Sequence, residues 1–231
     1  MGSLAHVVED CLGLIQVYSD GSIFRSYENL KFPMEVQDDG TAVWKDCLYD
    51  EEHDLQLRLY KPSSAPAGTT GLPVLFYFRG GGFCLGDRTW PNAHNCCLRL
   101  AAALGVLVVA PDYRLAPEHR LPAALEDSLR FWRLSLPIGS TADDPLANPF
   151  GPLSPNLEST ELDPMLVLVG GCEVMKDRIE DYYKRLKAMG KDVEYVEYEG
   201  EEHGFFGNHP FSQVSTKVIQ DITQFMHKNS I

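Results

Sequence analysis

The sequence predicts an α/β fold, a mostly parallel sheet wrapped by helices, and three observations carry that expectation. Pro73–Phe78, Val106–Ala110 and Met165–Val169 are short, continuous apolar runs rich in branched and aromatic residues, the pattern of strands covered on both faces. Stretches with helical spacing separate them, and parallel neighbours need such crossovers. The chain has 231 residues with 44% hydrophobic side chains, enough to bury a sizeable core.

Residues 1–40 read as an N-terminal arm or lid, and 41–231 as the main domain. Within the arm, Leu14–Tyr18, the polar turn Ser19-Asp20-Gly21-Ser22 and Ile23-Phe24-Arg25 form a short hairpin preceded by a flexible segment. Asp54–Tyr60 alternates polar and apolar residues as a half-buried strand does, and Lys61-Pro62 ends it before a loop over Ser63–Gly71. Asn92–Leu104 has helical spacing, as does Leu121–Leu129 with Pro122 in its first turn. Pro137, Pro145, Pro149, Pro152 and Pro155, with Gly139 and Gly151, break Leu136–Pro164 into loop. Asp177–Met189 is a helix closed by Gly190, Val193–Tyr198 an alternating strand, and Ser212–Lys228 a final helix.

A formal charge of −13 would repel phosphate backbones and anionic lipid, which excludes nucleic-acid and membrane-surface partners and leaves small molecules. No basic leader with an apolar run opens the chain, and no apolar stretch of membrane length occurs, so a cytoplasmic or nuclear location is expected. Cys11, Cys47, Cys84, Cys96, Cys97 and Cys172 lack the paired spacing of a zinc site or disulfide framework and read as buried thiols. No nucleotide-binding glycine motif is present, and His203 has no second histidine four positions on, since His209 stands six away. No cofactor and no metal is expected.

Chemistry concentrates in two places. Phe78-Arg79-Gly80-Gly81-Gly82-Phe83 sets three glycines directly after a buried strand, where successive backbone N–H groups can turn toward one anion or developing oxyanion. Glu201-Glu202-His203-Gly204-Phe205 follows the last strand, while Glu173, in Gly170-Gly171-Cys172-Glu173, ends the strand before it. Ends of successive parallel strands share one sheet edge, so Glu173 and His203 can meet there as the orienting acid and the base of a nucleophilic triad.

Four segments in order, Arg79–Phe83, Pro111–Glu118 (Pro-Asp-Tyr-Arg-Leu-Ala-Pro-Glu), Gly171–Asp177 and Glu202–Phe205, resemble the motifs of plant carboxylesterases in the hormone-sensitive-lipase branch of the α/β-hydrolases. The similarity runs from about Val7 onward. It implies an α/β-hydrolase fold and hydrolysis of small apolar esters, in a family that also includes a dehydratase and the gibberellin receptors. It further implies Gly81 and Gly82 as oxyanion donors, Glu173 as triad acid and His203 as general base, with Arg114 and Glu118 in structural polar pairs. A glutamate at the acid position resembles a subgroup that includes strigolactone-cleaving enzymes.

Two departures from that pattern change the expected outcome. No serine stands in GxSxG, and Ser140 in Gly139-Ser140-Thr141-Ala142 lacks both a preceding strand and a second glycine. The pattern jumps at a seam near 128–131, which removes the nucleophile elbow and with it the central part of the sheet. About 60 residues or more are missing there, at about 30 per strand–helix–strand unit. The Pro73–Phe78 strand is then left with an open edge unless Met165–Val169 closes up beside it. The second departure is Arg79, which stands where relatives carry a histidine and must face solvent, pair with a carboxylate or crowd the glycine turn. Three readings follow: a hydrolase of small apolar esters with impaired chemistry, a non-catalytic receptor-like protein for a small ester or hormone-like ligand, or a non-functional splice product.

Overall fold

The computed structural model describes residues 5–26, 35–66, 68–69, 71–120, 123–124, 150 and 157–229. Three strands, β1 (Val7–Cys11), β2 (Ile15–Tyr18) and β3 (Ile23–Arg25), form a small antiparallel sheet. The expected hairpin is β2–β3. The segment before it is a third strand, however, with Val7 opposite Tyr18 and Cys11 opposite Ile15. All five residues of β1 are exposed, so no burial pattern marked it in the sequence.

The main sheet has the order β4–β5–β7–β6, with β4 (Ala42–Asp50), β5 (Leu55–Pro62), β6 (Val74–Phe76) and β7 (Leu107–Pro111). Helix α1 (Pro91–Leu104) makes the crossover between the parallel pair β6 and β7. The pairs β4–β5 and β5–β7 are antiparallel, so the sheet is mixed. A second unit pairs β8 (Met165–Gly170) with β9 (Val193–Tyr198) in parallel, joined by α2 (Lys176–Ala188). The chain ends with a single turn, α3 (Phe205–Asn208), and α4 (Gln213–Lys228), which contacts both α1 and β8.

The α/β class therefore stands, and the sheet is interrupted as loss of central strands requires. Among the described residues no strand pairs with the outer edge of β6, and β8–β9 forms its own sheet. Val74 and Phe76 are 52% and 40% exposed where a strand covered on both faces was expected. Of the Leu121–Leu129 helix only Ala123 and Ala124 are described, both helical and buried, while Ser140 and the seam at 128–131 lie outside the described residues. Within the expected loop to Pro164, Leu157–Ser159 makes a 3-10 turn. No described helix is long and apolar enough to cross a membrane.

The strand β5 departs from its expected half-burial because α1 covers its second face. Tyr60 is fully buried in a core with Cys96, Cys97, Ala101 and Val108. On the same face Arg58, 6% exposed, is held by fixed partners. Its Nε and Nη2 donate to Asp46 Oδ1 and Oδ2 at 2.7 and 2.8 Å, its Nη1 donates to His94 Nδ1 at 3.0 Å, and its guanidinium stacks 4.0 Å from the Trp44 ring. Of the six cysteines only Cys96 and Cys97 are buried, and Cys11 and Cys172 are exposed, which corrects the expectation for those two; all six are free. Burial pushes the Cys96 thiol up to about 12, so it packs as a small apolar group.

Candidate active site

The glycine turn leaves β6 and doubles back beneath itself. Gly81 has φ +129°, and a Cβ there would sit 2.2 Å from the Leu85 carbonyl oxygen. Only glycine fits that approach. The Gly81 carbonyl accepts from Cys84 N and Leu85 N, both at 3.0 Å, which closes the turn. The N–H groups of Gly81 and Gly82 donate to no described residue, so both remain available to an incoming oxygen.

Arg79 lies under this turn with its side chain 5% exposed. Its Nη1 donates to Leu85 O at 2.6 Å, to Gly80 O at 3.2 Å and to the Tyr113 hydroxyl at 3.2 Å, and the guanidinium stacks 4.3 Å from the Tyr113 ring. Of the three outcomes expected for Arg79, solvent exposure is excluded. It crowds and pins the glycine turn, with the Asp112 carboxylate a looser partner at 3.7 Å. Asp112 is engaged elsewhere, by Arg88 N at 2.7 Å and Arg88 Nη1 at 2.5 Å. The structural pairs implied for the Asp112–Glu118 segment are present: Glu118 chelates Arg25 of the arm, and Arg114 Nη1 lies 3.3 Å from His53 Nε2.

At the other sheet, β8 and β9 run in step with Gly170 opposite Tyr198, so both strands end at one level. Glu173 and His203 leave these two ends and meet, His203 Nδ1 lying 2.9 Å from Glu173 Oε1 and 2.8 Å from Oε2. A carboxylate only accepts, which places the proton on Nδ1 and leaves the Nε2 lone pair available. Burial of the Glu173 carboxyl opposes ionisation, but the Met175 N–H at 3.1 Å and the imidazole outweigh it, and its pKa lies below the usual carboxylate value. The Glu173 side chain is 9% exposed and that of His203 63%.

Close backbone contact makes this meeting possible. A Cβ on Gly170 would lie 2.4 Å from the Glu201 carbonyl oxygen, beside the bond from Cys172 N to that oxygen at 2.9 Å. Gly170→Ala is expected to push the 201–203 loop from β8, costing about 2–3 kcal/mol. Thermal melting would report it as a drop of roughly 5–10 °C. The His203 ring signals would shift with it in NMR.

One cavity of about 460 Å³ is lined by Gly80, Gly81 and Gly82 on one side and His203 on the other. The structure thus brings all four sequence-derived residues, Gly81, Gly82, Glu173 and His203, to one place, three at the cavity and Glu173 behind the imidazole. No serine, threonine or cysteine is among the described residues lining it. Sequence reasoning missed Trp90, Asn92 and Ala93 at the start of α1, which also line it. The strand–glycine turn–helix order was the available signal, because it returns a helix N-terminus to the edge where the strand ends. A second cavity of about 700 Å³ on the far side of Gly81 and Gly82 is bounded by Ile15 and Val17 of the arm and by Ala116 and Pro117.

The order of these elements and the convergence of cradle and imidazole agree with a family model described as alpha/beta hydrolase fold, which matches residues 75–131 and 128–207. The chain belongs to the α/β-hydrolase family. In this hydrolase-fold chain the match breaks into two stretches that meet at 128–131, where the motif pattern jumps. The 2-hydroxyisoflavanone dehydratase of Glycyrrhiza echinata is 28% identical over 92% of this chain and 94% of its own length. That alignment runs over 310 positions against 231 residues here, leaving at least 79 positions with no counterpart in this chain. Probable carboxylesterase 6 of Arabidopsis thaliana is 38% identical over 53% of this chain and 37% of that protein. The crystal structure of an esterase/lipase from an uncultured bacterium superposes with a TM-score of 0.64 at 18% identity, covering 85% of this chain and 87% of the other, a likeness of fold.

Proposed function

We propose that this chain is a small-ligand-binding member of the α/β-hydrolase family whose acyl-transfer machinery is incomplete. In this reading Gly81 and Gly82 are the oxyanion donors, His203 the general base and Glu173 the residue that fixes its tautomer, with no nucleophile to activate. The observation that carries it is the cavity shared by the glycine turn and His203, which no serine, threonine or cysteine among the described residues lines. The ligand is a small ester or hormone-like molecule. Residues 1–40 act as its lid, a role supported by the second cavity under the arm and by the Arg25–Glu118 ion pair that ties the arm down.

Magnitudes separate binding from turnover. A serine triad deprived of its nucleophile loses about a millionfold in turnover, whereas cradle and binding alone retain about 10³–10⁴ over water. Effects within a triad are not additive, so once the serine is gone the base contributes little. Hydrolysis of p-nitrophenyl acetate is therefore expected at that residual level, and His203→Ala should lower it by less than about tenfold. The intact Glu173–His203 pair supports a second reading, residual hydrolysis of small apolar esters with His203 acting on water. A His203-dependent rate a thousandfold or more above that of the alanine variant would favour it and overturn the first.

A further inference from the structure

We propose that Arg79 converts the cavity between the glycine turn and α1 into a site for a small carboxylate, so that the ligand is an anion rather than a neutral ester. This names the ligand class of the binding reading above and rests on it. The chain carries a charge of −13, yet no aspartate or glutamate is among the described residues lining this cavity. Donors converge on it instead.

The first is Arg79, a residue that lines the cavity and whose side chain is 5% exposed. Its Nη1 is spent on the turn, but Nε is buried without a hydrogen-bond partner, and Nη2 bonds to no described residue. The nearest acid, Asp112, cannot neutralise it well, because both Asp112 oxygens already accept from Arg88 and the closer lies 3.7 Å from Nε. A buried guanidinium with a spare N–H group fits a planar carboxylate, and such charge-assisted bonds are about twice as strong as neutral ones.

The second donor group is the start of α1. The N-cap residue gives this helix no side-chain bond and its first turn holds no acidic residue, so the positive end of a 14-residue dipole meets the cavity at Asn92 and Ala93, with the Ala93 N–H taken by Asn92 Oδ1 at 2.8 Å. The amides of Gly81 and Gly82 complete the ring. A neutral ester would bring no further negative charge to the guanidinium, whose carboxylate partner is Asp112 at 3.7 Å. A carboxylate answers it.

Isothermal titration of the intact chain with butyrate, with butyramide of nearly the same shape, and with inorganic phosphate tests this, with His203 ring signals followed by NMR. Butyrate is expected to bind at least about tenfold more tightly than butyramide and to shift those signals, and Arg79→Met to weaken butyrate about tenfold to a hundredfold. Equal binding of butyrate and butyramide, or preference for phosphate over butyrate, overturns the carboxylate assignment. Because Arg79 also pins the turn, the butyrate-to-butyramide ratio on the unaltered chain decides the matter should Arg79→Met fail to fold. Failure of the parent reading looks different: turnover of esters that depends on His203, whatever the anion preference.

Discussion

Insertion at the 128–131 junction of a strand–elbow–helix segment carrying a GxSxG serine is expected to raise ester turnover by up to about a millionfold. The gain is that large because the rest of the apparatus is already assembled. His203 holds its Nδ1 proton against Glu173 at 2.8 Å, and the Gly81 and Gly82 amides donate to nothing else among the described residues. A hydroxyl delivered to the cavity would meet a base with the correct tautomer and a cradle for the oxyanion. In the grafted protein His203→Ala should erase the gain, whereas in the parent chain the same change costs less than about tenfold. The graft also supplies a neighbour for the outer edge of β6, so the melting temperature should rise with activity. A grafted chain that folds and gains no turnover would mean that cradle and imidazole are not poised for the same oxygen.

The largest single-residue loss of stability is expected at Arg58. Breaking a buried ion pair costs about 3–5 kcal/mol, and because Asp46 is 29% exposed and keeps Arg88 as a partner the cost here is expected at the lower end, about 3 kcal/mol, which for a chain of this size lowers the melting temperature by roughly 6–12 °C. Arg58→Ala removes two of the three nitrogens that hold Asp46, whose carboxyl is lowered to about 2 chiefly by Arg58 and then by Arg88, and it removes the cation stacked on Trp44. Replacing both partners by apolar side chains should cost less than the single change. The variant also alters the pH profile. His94, 1% exposed, has its pKa lowered to about 4, chiefly by burial and then by the Arg58 charge. Below pH 6.5 the unfolded chain takes up a proton that the folded one refuses, so stability falls as pH drops from 6.5 toward 4 and then levels. That loss amounts to about 3 kcal/mol at the usual 1.36 per pKa unit. In Arg58→Ala the decrement should shrink and persist, because burial remains. Melts at pH 7.5, 5.5 and 4.5 would show it.

The elements legible in the sequence were those whose burial leaves a pattern. α1, α2 and α4 carry a helical period and β5 and β9 an alternation, while β6, β7 and β8 show as continuous apolar runs, and Glu173 and His203 could be brought together because ends of neighbouring parallel strands share an edge. β1 and β4 escaped. All of β1 is exposed, and β4 breaks its alternation by exposing Val43, Trp44 and Leu48. The antiparallel placement of β5 against β7 follows from pairing partners far apart in sequence, which no local pattern encodes. In the site, the glycine turn was readable, but the burial of Arg79 under it was not, since an arginine after a strand is ordinarily exposed. Nor was the contact of Gly170 with Glu201 readable, because a close approach of two backbones leaves only a missing side chain as its trace.

The most direct measurement is the intact mass of the chain after incubation with a fluorophosphonate, a reagent that captures a serine hydroxyl activated by an imidazole. An unchanged mass, in a folded protein whose His203 ring still reports its bond to Glu173, is the expected result. Stoichiometric addition of one phosphonyl group to any serine, abolished by His203→Ala, would contradict the account.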